Sequence, residues 1–227
     1  GAASSVPLAG FPYHSLDQHI HKLLISGYKV ALCEQVEDPK LSKGIVKREV
    51  VEVLSPGTAI TSKFLVDNEN NFLGSLYIEN NSVGYSIIDN STGEFFCGEV
   101  NCNEIKNIIN KYKIKEIIVP EFQKDSISNF LDNHIMITPY EDWKSDYDNC
   151  YEILLKQFKT KSLKGYGIDD NSILIKTSGA CIYYLENNYF GKINHITSIS
   201  RKIKKGFMHF DDFTIKNLEV FNSLNNQ

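Results

Sequence analysis

The chain has 227 residues, of which 42% are apolar, and carries a formal net charge of −4. This is enough apolar material for one large or two small cored domains, and it excludes a wholly disordered chain. The acidic balance excludes a globally basic nucleic-acid footprint and leaves room only for a local basic strip.

In chain order, Ser15 followed by Gln18 has the form of a capping box. Leu16, Ile20, Leu23 and Leu24 then share one helical face, and Gly27 supplies a left-handed stop. Residues 28–33 read as a buried strand and 45–54 as another, ended by Ser55-Pro56-Gly57. A helix and two strands make a small mixed α/β layer. It begins abruptly at residue 1, so 1–57 reads as the second half of a domain. Residues 58–71 are polar with little period and read as a linker, expected to bury little and to let its flanking domains move.

A second domain is expected over 72–188. It opens with strands at 72–78, 83–89 and 94–100, joined by short polar turns and therefore antiparallel. A helix at 105–112, a strand at 114–119, a helix at 126–131 and a short strand at 135–137 follow. Helices at 147–158 and 172–185 close it. Three antiparallel strands followed by αβ crossovers is the ribonuclease-H-like order. The predicted fold class is thus α/β: a partial small mixed α/β domain, a ribonuclease-H-like domain and a C-terminal helical segment over 189–227. Within that segment, 189–212 reads as irregular and basic, with Arg201, Lys202, Lys204 and Lys205. Thr214 caps a last helix bearing Ile215, Leu218 and Phe221.

Five cysteines, Cys33, Cys97, Cys102, Cys150 and Cys181, form no CxxC pair. Free thiols in a reducing compartment fit this spacing better than a disulfide framework or a zinc site. No apolar run reaches spanning length and no signal peptide is present, so the chain reads as cytoplasmic, with no membrane partner.

The ribonuclease-H-like order invites a two-metal nuclease. That chemistry needs converging carboxylates, one of them in the middle of the first strand. Residues 72–78 contain no acid, and Asp89, Glu94 and Glu99 read as solvated strand-end residues. His19 and His21 are two apart and point to different sides, so with His14 they read as surface or capping residues rather than zinc ligands. There is no Gly-x-x-x-x-Gly-Lys-Ser/Thr loop and no Ser/His/Asp or Cys/His set. No catalytic residue, metal or cofactor is assigned. The strip Lys40, Lys43, Lys47 and Arg48 is either a solvated face or a set of phosphate contacts that position DNA without reading its sequence.

Three separated signatures, "PLAGFPYH", "GYKVALCEQVEDPKLSKG" and "VKREVVEVLSPGT", occur in order between residues 7 and 58, and "DNSTGEF" spans 89–95. Together they resemble the MutS family of bacterial DNA mismatch-recognition proteins. "FDDFTIKNLEVFNSL" near the end resembles the entry to that family's helical core. The resemblance implies that 1–57 is the C-terminal part of a mismatch-recognition domain and 58–71 a linker. It implies that 72–188 is a catalytically empty, ribonuclease-H-like connector and that 189–227 starts the lever and core. The implied parent is a homodimer that binds double-stranded DNA with mismatches and meets a MutL-type repair partner through the connector. It hydrolyses ATP with Mg in a nucleotide-binding domain outside this chain, so this stretch alone is no enzyme and is expected to be a monomer. The family's minor-groove wedge, Phe-x-Glu, would precede the region matched here, and no matching motif stands in that place. Arg48 resembles a backbone-contacting arginine of the family, with Lys43 and Lys47 beside it, and Pro7 and Leu8 match a turn near the lesion. Pro12, Tyr13 and His14 fix the helix entry. Two other classes stay open: a stand-alone ribonuclease-H-like nuclease, and a protein-interaction module without DNA binding.

Overall fold

Residues 10–38, 44–58, 71–132, 134–188, 193–203 and 214 are described by the structure, a computed structural model. Helix α1 (Leu16–Ile25) buries Ile20 and Leu24. With Leu54 they make a small core, rimmed by Leu16, Val30 and Leu32. The helix ends as its sequence dictates. Gly27 adopts a φ of 80°, and the N–H groups of Gly27 and Tyr28 close onto the carbonyls of Leu24 and Leu23. It starts differently. Ser15 Oγ donates to Pro12 O at 2.8 Å and closes a 3₁₀ turn over Tyr13–Ser15, so no capping box forms. A serine hydroxyl bonds whichever backbone group is nearest, and the turn after Pro12 offers one first. Strands β1 (Val30–Gln35) and β2 (Arg48–Leu54) pair antiparallel in a sheet of their own.

Among the described residues, the larger sheet has six strands: β3 (Phe72–Glu79), β4 (Ser82–Asp89), β5 (Phe95–Asn101), β6 (Glu116–Pro120), β7 (Met136–Tyr140) and β8 (Ser200–Lys202). Their spatial order is β7-β6-β3-β4-β5-β8. The β3-β4-β5 meander is antiparallel, and β6 and β7 add in parallel beyond β3. This is the predicted mixed α/β arrangement, with one addition. Ser200–Lys202, expected to be irregular, pairs parallel to β5. Three residues are too few to show an alternation, and the open edge of β5, not local propensity, makes them a strand. The last helix, apart from the helical Thr214, lies outside the described residues.

Alternate side chains of the strands feed two cores. On one side, Phe72, Leu76, Ile87 and Ile117 pack with Ile105 and Ile109 of α2 (Ile105–Lys111) and Ile127 of α3 (Lys124–Ser128). On the other, Leu73, Ile88 and Ile118 pack with α4 (Tyr147–Phe158) and α5 (Ser172–Asn188). Helix α5 approaches the sheet closely. Ser86 Oγ bonds the hydroxyls of Thr177 and Ser178, each at 2.8 Å. Gly179 lies so near α4 that a Cβ there would stand 2.7 Å from Cys150 Cα.

Asp89 departs from the sequence reading. It is fully buried, and its Oδ1 accepts from Ser91 N–H at 2.8 Å and Ser91 Oγ at 2.6 Å. Asp89 ends β4 opposite the buried Phe72, inside the six-stranded sheet, and next to it His195 Nε2 lies 2.6 Å from Asn90 O. Glu94 and Glu99 are exposed, as expected. All five cysteines are free thiols, with Cys97, Cys150 and Cys181 buried. Burial raises the Cys97 and Cys150 thiols to about 12, so they pack as small apolar groups. Among the described residues, no helix is long and apolar enough to cross a membrane.

Candidate nucleic-acid interface

The β1–β2 ladder slips between Leu32 and Cys33. Leu32 pairs with Glu52, Cys33 pairs with Val50, and Val51 is left as an extra residue. Such a bulge reverses the face taken by every later side chain. Leu54 and Val30 face α1. Unbroken alternation from Leu54 would put Arg48 on that same side. The bulge instead sets Arg48 opposite Gln35, on the face of Ala31 and Cys33, where it is exposed.

The neighbouring pair sets Glu34 directly against Glu49, a like-charge contact that costs stability. Lys47 Nζ stands 2.6 Å from Glu49 Oε1 and offsets it. The pair is more than half exposed on both sides, so solvent screening leaves it a small net contribution. The Lys47 N–H also donates to Glu37 Oε2 at 3.2 Å. Lys47 is therefore already engaged with carboxylates. Arg48 has no ion-pair partner among the described residues. Pro7, Leu8, Lys40 and Lys43 lie outside the described residues. Of the residues expected to contact DNA, the structure thus brings Lys47 and Arg48 together at the start of one exposed strand, beside Glu34, Glu37 and Glu49.

Metal chemistry finds no such cluster. Ser75 occupies the middle of β3, and Glu79 stands only at its end, 3.7 Å from Lys176 Nζ. The ring of His19 stacks on Phe11 at 4.3 Å. Among the described residues, no three His, Cys, Asp or Glu side chains converge as a metal site would need.

A family model for MutS domain I matches residues 1–63, and one for MutS domain II matches residues 71–197. The chain belongs to the MutS family. It is 40% identical over 225 residues to the DNA mismatch repair protein MutS of Flavobacterium psychrophilum, covering 99% of this chain and 26% of that protein. It is 36% identical over 227 residues to the MutS of Parabacteroides distasonis, covering 100% of this chain and 26% of that one. It is 38% identical over 230 residues to the MutS of Salinibacter ruber, covering 99% of this chain and 25% of that one. The chain spans about a quarter of the length of these curated MutS relatives.

The MutS domain II match holds two features that the sequence reading passed over. One is a surface. Phe122 and Trp143 are 58% and 64% exposed beside an open cleft of about 620 Å³. Glu121, Glu141 and Asp142 line it, and Lys144 Nζ sits 4.4 Å from the Tyr183 ring. A lone Trp among acids in "YEDWKSD" was the available signal, because large exposed aromatics mark contact surfaces. The other is Glu116, a fully buried carboxyl at the first position of β6.

Proposed function

We propose that residues 1–57 form part of the mismatch-recognition domain of a DNA mismatch repair protein, with 58–71 as linker. The connector, expected over 72–188 with the lever and core from 189 to 227, is extended in this reading to Lys202, because β8 pairs with β5. The carrying observation is that models for two successive MutS domains match, in order, the two units that hold separate sheets. In this reading the parent binds mispaired duplex DNA in the cytoplasm as a homodimer and hydrolyses ATP with Mg elsewhere in its length. The present chain contributes scaffold and backbone contacts and no catalysis.

Arg48 is the phosphate contact, turned outward by the bulge, with Lys47 as a weaker neighbour. Lys43, Pro7 and Leu8 complete the set on the strength of the family resemblance. So few contacts bind DNA with a Kd of roughly 10⁻⁴ to 10⁻⁶ M, the non-specific range at physiological salt. Fluorescence anisotropy with matched and mismatched duplexes tests this. Both should bind equally and lose affinity steeply as salt rises. Arg48→Ala should weaken both alike and reduce the log–log salt slope by about one. A preference for the mismatched duplex, or an unchanged slope in Arg48→Ala, overturns the assignment.

The connector's surface for a MutL-type partner is the Phe122–Trp143 patch, which joins exposed aromatic area to an acid-lined cleft. Exposed aromatics that become buried anchors on binding cost about 2 kcal/mol or more on truncation. Trp143→Ala should therefore weaken a calorimetric titration with the partner about thirtyfold. Equal affinity for both forms would place the contact elsewhere.

A further inference from the structure

Among the described residues, Glu116 accepts four hydrogen bonds, divided between the two units. Its Oε2 accepts from Ser55 Oγ, in a short contact, and from Gly57 N–H at 3.1 Å, both just after β2. Its Oε1 accepts from Thr138 Oγ1 at 2.8 Å on β7 and from Tyr184 OH at 2.7 Å on α5. Burial, then the carboxylate itself, push the Tyr184 phenol far above its ordinary range, so that group stays a donor. Lys29, just before β1, brings its Nζ within 3.8 Å of Oε1 and lies 5.2 Å over the Tyr184 ring. A carboxylate has about four lone-pair sites, and here all are taken.

The receiving turn is built for this group. Ser55 N–H donates to Thr58 Oγ1 at 3.0 Å, and the two hydroxyls lie 2.7 Å apart. Because Ser55 Oγ gives its proton to Glu116, the Thr58 hydroxyl must be the donor of that second contact. Ser55 and Thr58 are 0% and 1% exposed. Gly57 permits the approach, since a Cβ there would lie 2.7 Å from Glu116 Cβ. Two signatures of the first unit, "GYKVALCEQ" and "LSPGT", therefore converge on one side chain of the second.

Against the motion expected across the polar 58–71 stretch, whose ends Thr58 and Asn71 are 1% and 2% exposed, we propose that Glu116 locks the β1–β2 unit onto the six-stranded sheet, so that the two move as one rigid body and the joint at residues 55–58 is a clasp rather than a hinge. Separating them would strip a buried carboxylate of its Ser55 and Gly57 donors together, and buried polar groups are costly to leave unmatched. The clasp stands on this geometry alone, independent of DNA.

The test uses the whole chain without DNA. Spin labels on the exposed Cys33 and on Asn110→Cys of α2, in a Cys102→Ser background, report the distance between units by pulsed electron resonance. One narrow distance is expected. Glu116→Ala should replace it with a broad distribution. Ser55→Ala and Gly57→Ala, made from the opposite side, should broaden it too, and serve if Glu116→Ala does not fold. Thr138→Val, which removes only a bond internal to the connector, should leave the peak narrow. A broad distribution in the unsubstituted protein, or a narrow one in all three clasp variants, overturns the proposal.

Discussion

Phe96→Ala is expected to lower the unfolding free energy in a urea titration by about 3–5 kcal/mol, among the largest single-site losses in the chain. Phe96 sits on β5 and is 1% exposed. Its ring meets Tyr112 at 4.7 Å and Phe72 edge-on at 6.1 Å, and Lys202 Nζ of β8 lies 4.9 Å over it. β5 is bonded to β4 on one side and β8 on the other, so the backbone cannot close around the missing ring. The loss therefore includes the cavity as well as the transfer of the ring to water. A loss under about 1 kcal/mol would mean that the site collapses freely, contrary to the close packing described.

Gly179→Ala is decided by sign. In an isolated helix the change stabilises by about 1 kcal/mol, because glycine has the poorer helix propensity. Here the new Cβ would stand 2.7 Å from Cys150 Cα and 2.9 Å from its Sγ. The clash is with the backbone of α4, which cannot rotate aside as a flexible side chain would. Overpacking of this kind costs about 1–3 kcal/mol, so the net effect should be destabilising, and Gly179→Val should be worse. Thermal denaturation showing Gly179→Ala to be more stable than the unsubstituted chain would mean that α4 and α5 do not approach this closely.

What the sequence made legible were features written locally. The Gly27 stop, the meander from residue 72 and the helix at Tyr147–Phe158 each carry their own turn or period, and each stands where expected. The family signatures located the two MutS units without any structure. What stayed hidden depended on partners distant in sequence. The facing of Arg48 is set by one unpaired residue in a ladder, and pairing register is not visible in a strand's own pattern. Asp89 looked like a solvated turn residue because its pairing opposite the buried Phe72 is not visible in the turn itself. Glu116 looked like an ordinary charged residue at a strand start. Its donors lie 22 to 68 positions away, and only the assembled joint brings them together.

The order β7-β6-β3-β4-β5-β8 also decides what the rims of the sheet will refuse. One rim is β7, whose Pro139 lacks an N–H to offer an incoming strand. Among the described residues the other is β8, three residues long and carrying Arg201 and Lys202. An exposed edge is a template for polymerisation, and natural sheets blunt it with proline, with positive charge and with short length. All three devices are present here, divided between the two rims. Stacking of one such sheet onto another by edge-to-edge strand addition is thereby disfavoured, and contacts made by this sheet must run through side chains on its faces and loops.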